Sequence, residues 1–405
     1  MNWPRTVSFV NGRVIADGGT ADSVRFARSV IGVGERPRVR DVVIDLHGAF
    51  VLPGFVNAHD HLELNHYGRL KFRDRYDNAT QWIDDLRPRL KSDPAIVAGR
   101  SHPLPERLFA GALKNVLAGV TLVAHHNPYY RDFRCGVPVR VLRRYGWAHS
   151  FALEQQPAGA RGELGGVVAA RWRATPSATP FMVHLSEGVD AAAQDELARF
   201  EALGCLKANT VIVHGVAIDG EGWRRVAASG TSLVWCPGSN LFLFGRTAAM
   251  SDLLRNPERP RVAIGTDSRI TGARDLLDEL RLARSSAPLS AADLLAMVTR
   301  EGAEVLRQPR AGRIAAGLPA DFVILPPLAA SAAEAVLQAS RRDLWLVMIG
   351  GRPLLGDRRF ADAIFVARRV PARPLGVDGA HKLADAALVR RIEGCPIQEP
   401  GLAVG

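Results

Sequence analysis

Histidine carries most of the chemical promise of this 405-residue chain. Of its eleven histidines, four stand at or near the ends of short apolar runs. His59 and His61 lie in Asn57-Ala58-His59-Asp60-His61. On a strand, residues i and i+2 share a face, so both imidazoles point the same way. Two neutral imidazoles on one rigid element suit a divalent transition metal, although H-x-H also fits a pair of structural histidines. Phe181-Met182-Val183-His184-Leu185-Ser186-Glu187 ends in an imidazole with a carboxyl three residues on. Val211-Ile212-Val213-His214-Gly215 ends in His, and Val262-Ala263-Ile264-Gly265-Thr266-Asp267-Ser268 in Asp. Singly, Glu187 reads equally as a helix-start carboxylate and Asp267 as an N-cap. Together these groups terminate four separate runs. Buried His and Asp are costly unless bonded or ligated, and one shared metal centre satisfies them all.

Strands must position these groups. Candidates are Phe55–His61, Val120–His126, Trp147–Leu153, Phe181–Glu187, Thr210–Gly215, Leu233–Pro237 and Arg261–Ser268, with helical stretches between them. One helix carries Ala193, Leu197 and Phe200 on one face and stops at Gly204; another opens on Ser290-x-x-Asp293, a capping-box spacing. Alternation of strand and helix over about 250 residues predicts an α/β fold, either a (β/α)8 barrel or a doubly wound sheet. Seven strands are legible and a fourth-position strand is not. Asn11-Gly12, between Val7–Val10 and Val14-Ile15, predicts a hairpin. Gly312-Arg313-Ile314, Ala320–Leu325 and Trp345–Ile349 return to β character. The proline-marked last 35 or so residues read as loosely structured.

Composition narrows the function. The formal net charge is +11, with a hydrophobic content of 47% and a charged content of 23%, which excludes wholesale disorder. The basic residues are five Lys and 47 Arg, in scattered pairs without a long run. That pattern argues for dispersed surface charge and no nucleic-acid partner. No apolar stretch approaches a bilayer span, and the first residues carry no secretory h-region, so a cytoplasmic location without membrane association is expected. Four cysteines (135, 205, 236, 395) form neither C-x-x-C nor a disulfide scaffold.

The motifs taken together resemble the amidohydrolase superfamily, in its cytosine deaminase/atrazine chlorohydrolase-like branch of metal-dependent hydrolases. The matching strings are Leu52–His61, Gly119-Val120-Thr121, His184-Leu185-Ser186-Glu187, Val213-His214-Gly215, Cys236-Pro237-Gly238-Ser239-Asn240, Gly265-Thr266-Asp267-Ser268 and Gly317-Leu318-Pro319-Ala320-Asp321. The resemblance implies a distorted (β/α)8 TIM barrel over 55–310. A small β-sandwich would be built from both chain ends, residues 1–54 and 311–405, the latter including the tail. It implies one divalent ion held by His59, His61, His184 and Asp267, with zinc favoured and iron an alternative. A metal-bound hydroxide would attack the substrate, with His214 and Asp267 handling the proton of the water. Glu187 would protonate a ring nitrogen and assist the departure of ammonia. The implied enzyme is a hydrolase of carbon–nitrogen bonds other than peptide bonds. It would deaminate a purine, pyrimidine, pterin or related ring; the alternative is a cyclic amidohydrolase that cleaves amides or lactams.

The loops bear on the substrate. Tyr129, Tyr130 and Arg131 follow one strand and Phe242 another, and they are expected to stack on and pair with a flat ring. Arg69 would meet an anionic substituent. His125-His126 near the mouth fit either substrate contacts or structural roles. The segment from Glu63 to Leu90 reads either as a lid over the pocket or as a solvated basic loop. Glu154 is the candidate bridge in a two-metal variant. Homo-oligomerisation is left open by the sequence.

Overall fold

A computed structural model describes residues 5–154, 165–255 and 258–404. Its centre is a set of eight parallel strands: β1 (Phe55–Asp60), β2 (Val120–His125), β3 (Arg140–Val141), β4 (Gly146–Ala148), β5 (Phe181–Leu185), β6 (Thr210–His214), β7 (Ser232–Trp235) and β8 (Val262–Ile264). Strands β1–β3 form one sheet, in the order β3-β2-β1, and β4–β8 form a second in chain order. Every residue of β1, β2 and β5–β8 is buried. Helices on the outer face explain why these strands are continuous apolar runs without alternation. The chain is of the α/β class. Strand β8 meets β1 through the Asp267 amide, which donates to the His59 carbonyl at 3.1 Å.

The strand missing from the sequence reading is β3. Two residues cannot display a period, and Arg143-Arg144 follows directly. It precedes Gly146–Ala148, whereas the stretch before Pro180 holds the helix Gly166–Ala174.

The remaining β-structure draws on both ends of the chain. A nine-stranded sheet places Phe50–Pro53 beside Phe322–Leu325, antiparallel, with Phe322 opposite Pro53. A four-stranded sheet contains Val7–Val10 and Val42–Asp45. Phe9, Phe26 and Phe322 join the two sheets, with ring centroids 4.8 to 6.2 Å apart.

Two expectations fail here. Asn11-Gly12 makes no hairpin, because Val7–Val10 and Arg13–Ala16 enter different sheets. The hairpin lies one step later, between Arg13–Ala16 and Gly19–Ala21. The tail is also ordered: Ala372–Val377 and Ala380–Asp385 pair antiparallel, and the helix Ala386–Glu393 follows. Pro371 precedes the first of these strands, Pro374 lies within it opposite Leu383, and Pro396 and Pro400 lie in the bends and turns after the helix. No helix among the described residues is long and apolar enough to cross a membrane.

Candidate metal centre

Strands β1, β5, β6 and β8 deliver the expected groups to one place. Ligand-competent nitrogens of His59, His61 and His184 lie within 4.8 Å of one another, the one such cluster among the described residues. The Asp267 carboxylate Oδ1 stands 3.8 Å from His59 Nε2 and 3.7 Å from His61 Nε2. His214 Nε2 is 3.5 Å from Glu187 Oε1. Three residues here carry left-handed backbone: Ser186 (φ 55°), His214 (φ 76°) and Asp267 (φ 51°). Such conformations cost about 1–3 kcal/mol each and persist where the surroundings enforce them, as at functional sites.

Partners on the outer side of each ring set the tautomers. His126 Nε2 lies 2.8 Å from the Ala148 carbonyl, which can only accept, so that nitrogen carries the proton. His126 Nδ1 then accepts from His59 Nδ1 at 3.3 Å, and the His59 Nε2 lone pair is left buried and without a partner. His184 Nδ1 likewise donates to the His149 carbonyl at 3.0 Å. His214 Nδ1 donates to Asn240 Oδ1 at 2.8 Å, and its Nε2 is also buried and unpartnered. Convergent lone pairs with no protein donor are what a divalent cation satisfies, and the residues fit that group. Burial, reinforced by neighbouring imidazoles, holds His59 and His184 well below the ordinary imidazole pKa, which favours the neutral rings that a cation requires.

The two carboxyls are driven apart. Burial, then the charges of Asp267 and Glu196, push Glu187 well above the usual carboxylate range. Burial also acts on Asp267, but His61, His214 and hydrogen bonds from Thr271 and Ser268 outweigh it and keep the group low. Ser268 N donates to one Asp267 oxygen at 2.7 Å and Thr271 Oγ1 to the other at 2.8 Å. One carboxyl pushed up beside one held low is the arrangement expected of an acid–base pair.

The family comparison falls on this region. Residues 182–354, which hold His184, Glu187, His214 and Asp267, match the model of the Amidohydrolase family. That segment of the chain is of the Amidohydrolase family. A 5-methylthioadenosine/S-adenosylhomocysteine deaminase of Pyrococcus abyssi is 28% identical over 173 residues, 39% of this chain and 40% of that protein. The chain thus spans less than half of that relative. A 5'-deoxyadenosine deaminase of Methanobrevibacter smithii is 24% identical over 383 residues, covering 79% of this chain and 84% of the relative. Among solved structures, a zinc-complexed atrazine chlorohydrolase from Arthrobacter aurescens superposes with a TM-score of 0.68 at 20% identity, covering 89% of this chain and all of that one. The expected enzyme class, a hydrolase of carbon–nitrogen bonds, agrees with the family and with the relatives named deaminases.

Beside the histidine cluster is a cavity of about 200 Å³ that includes His61, His184, Glu187, His214 and Asp267 in its lining. Leu64, Trp82, Ile83, Leu153, Leu243 and Ile270 make its walls apolar, with Asn127 and His149 among the polar groups. Trp82 and Ile83 come from the helix Ala79–Ser92, so the segment after His61 does cover the pocket. That helix is pinned at its start: Ala79 N donates to the Glu187 carbonyl at 3.0 Å, and Val189 N to that of Asp77 at 2.6 Å. A Cβ on Gly188 would lie 2.6 Å from the Asp77 carbonyl, so only glycine permits this approach.

None of the five expected substrate contacts lines the cavity. Tyr129 and Tyr130 pack edge-on against Phe133, and Arg131 is exposed in the following turn. Phe242 lies under Arg69 and Lys71, and Arg69 donates to the Gly272 carbonyl. Tyr129, Tyr130, Phe242 and Arg69 are thus engaged by other groups of the protein, and Arg131 is exposed outside the cavity lining. No Lys or Arg is among the lining residues. Glu154, the candidate bridge, instead pairs with Arg171 at 2.6 Å. His125 contacts Glu63, and His126 supports His59. Asn127 and His149, bonded to each other at 3.0 Å, were not singled out from the sequence; their position beyond strand ends was the available signal.

Burial on this scale makes the metal-free protein sensitive to pH. His59, His125, His126, His184 and His214 are all depressed by burial, and His66 and His149 are pushed down to about 4. Unfolded, these seven rings take up protons near pH 6.5, which the folded chain refuses, so stability falls as pH drops below that value. Burial raises Asp275 to about 6, Glu196 to about 7 and Glu279 to about 8, and it pushes Glu63 and Glu187 up as well. These carboxyls hold protons that the unfolded chain releases above about pH 4, so their contribution erodes stability as pH rises towards 8. Seven imidazoles outweigh these five carboxyls below pH 6.5, and only the carboxyls act above it. Denaturant midpoints of chelator-treated protein should therefore peak near pH 6.5–7 and fall steeply on the acid side. A midpoint that rises between about pH 6.5 and 5 would contradict this balance.

Proposed function

We propose that this chain is a metal-dependent hydrolytic deaminase that releases ammonia from an amino-substituted N-heterocycle of purine-like type. The observation that carries the reading is the placing of the Glu187 carboxyl, which burial pushes well above the usual carboxylate range, 3.5 Å from His214 and beside a three-histidine cluster completed by Asp267. His59, His61, His184 and Asp267 would hold the ion. A divalent ion, with zinc the first choice, supplies acidification of a water and polarisation of the carbon under attack. Glu187 donates its proton to the ring nitrogen next to that carbon, which makes the carbon more electrophilic. His214 Nε2, its other nitrogen committed to Asn240, and the ionised Asp267 accept the proton of the attacking water. Returned to the departing amine, that proton leaves with ammonia; the added hydroxyl gives its remaining proton back to Glu187, and the ring keeps the oxygen as a carbonyl with the proton on its nitrogen.

The walls bear on the substrate. A cavity of about 200 Å³ without a cationic lining residue suits a small, uncharged ring better than an anionic one. Trp82 offers an aromatic face while its Nε1 donates to the Leu70 carbonyl at 2.9 Å. A Trp82→Ala variant is expected to raise KM by up to about tenfold with kcat largely kept, since such contacts are worth about 0.5–1.5 kcal/mol.

The eight parallel strands, with β8 bonded to β1, support a distorted (β/α)8 barrel over 55–310. The sheets shared by the two chain ends support a flanking β-sandwich from 1–54 and 311–405. Four unpaired cysteines support a reducing, cytoplasmic setting.

The test is ammonia release by zinc-loaded protein across a panel of amino-heterocycles and cyclic amides. Ammonia from aminopurines or aminopyrimidines is the expected result. Turnover of cyclic amides alone would move the assignment to the amide-cleaving alternative.

A further inference from the structure

Directly behind the metal cluster lies a polar network that the proposed chemistry does not use. Lys114, from the helix Leu104–Leu117, is fully buried, as is Asp60, the residue between His59 and His61. Lys114 Nζ lies 3.0 Å from Asp60 Oδ2, 2.7 Å from Asn65 Oδ1 and 3.1 Å from Thr266 Oγ1. Asp60 also accepts from Asn65 at 2.7 Å and from Asn115 at 2.8 Å. Asn57 Nδ2 reaches Thr266 Oγ1 at 2.8 Å, and Thr266 N returns to Asn57 Oδ1 at 3.1 Å.

The placement of this network matters. Strands β1 and β8 belong to different sheets. Where they meet, the backbone contributes the single Asp267-to-His59 bond, whereas neighbouring strands within each sheet share ladders. Yet the proposed ligands are split across this junction, with His59 and His61 on one side and Asp267 on the other. The side chains of Lys114, Asp60, Asn57 and Thr266 bridge it in place of a ladder.

We infer that the buried Lys114–Asp60 pair is a positioning device that fixes the spacing between the two halves of the metal ligand set. The inference rests on the metal reading of the site. Lys114 and Asp60 touch neither substrate nor metal; they act through Thr266 and the β1 backbone. Removing one partner alone would strand the other charge in the interior, so single variants confound folding with positioning.

The test uses Asp60→Asn/Lys114→Met, which removes both charges together, with zinc affinity measured by chelator competition and the visible spectrum of cobalt-substituted protein as a geometric readout. We expect a folded protein with zinc Kd raised about 10–100-fold and a changed cobalt spectrum, the range seen when outer-shell partners of metal ligands are lost. A folded double variant with wild-type affinity and spectrum overturns the inference. If it does not fold, Thr266→Val keeps the charge pair and cuts the bridge, and wild-type affinity and spectrum there overturn it equally. Wild-type protein that takes up no zinc would defeat the metal reading itself, a failure distinct from unaltered variants of a zinc-binding wild type.

Discussion

Glu187→Gln is expected to keep zinc and lose turnover by about 10²–10⁴-fold, the range associated with a positioned general acid or base. The amide occupies the same volume and cannot give up a proton to a ring nitrogen. Because burial and Asp267 already push the native carboxyl well above the usual carboxylate range, towards its neutral form, the substitution should change little of the resting electrostatics. The loss should therefore appear in kcat, with KM and metal content near wild type. Inductively coupled plasma analysis alongside steady-state kinetics on the substrate from the ammonia screen separates the two. A Glu187→Gln enzyme with wild-type kcat would remove Glu187 from the chemistry and leave His214 and Asp267 to carry proton transfer alone.

Metal should couple stability to activity. An ion that binds only the folded state at about 100 times its Kd adds about 2.7 kcal/mol, so zinc added to stripped protein should raise the melting temperature as it restores turnover. His184→Ala should abolish both responses. His184 turns its other nitrogen towards the cluster because Nδ1 is committed to the His149 carbonyl. A His184→Ala protein whose melting point still climbs with zinc would remove this residue from the ligand set. Wild-type protein indifferent to both chelator and zinc would overturn the metal centre as a whole.

The sequence made the chemistry more legible than its surroundings, for a physical reason. His59, His61, His184, His214 and Asp267 terminate buried strands, and a strand end has one direction in which to present a side chain. Strands that are buried on both faces also announce themselves as apolar runs, which is why β5, β6 and β8 stand out. β3 has two residues and no such signature. The substrate wall was misplaced because loop side chains have several partners within reach. Arg69 is taken by Gly272 and Phe242, and Tyr130 by Phe133, and nothing in the local sequence distinguishes those choices from contact with a ligand. The pairing of Lys114 with Asp60 spans 54 positions and two elements, so neither residue advertises the other.

The pin between Asn78 and Gly188 divides the molecule's capacity for change. It fastens the covering helix to the backbone that carries Glu187, so the acid keeps its place whatever happens further along that helix. Trp82 and Ile83 lie just beyond the fastening, on a segment free to drift in sequence and length. New substrate preferences can thus arise one wall residue at a time, without each novelty having to rediscover a working proton donor. A library randomised at 82 and 83 should contain many catalysts of altered taste, whereas one randomised at 188 should contain few catalysts at all.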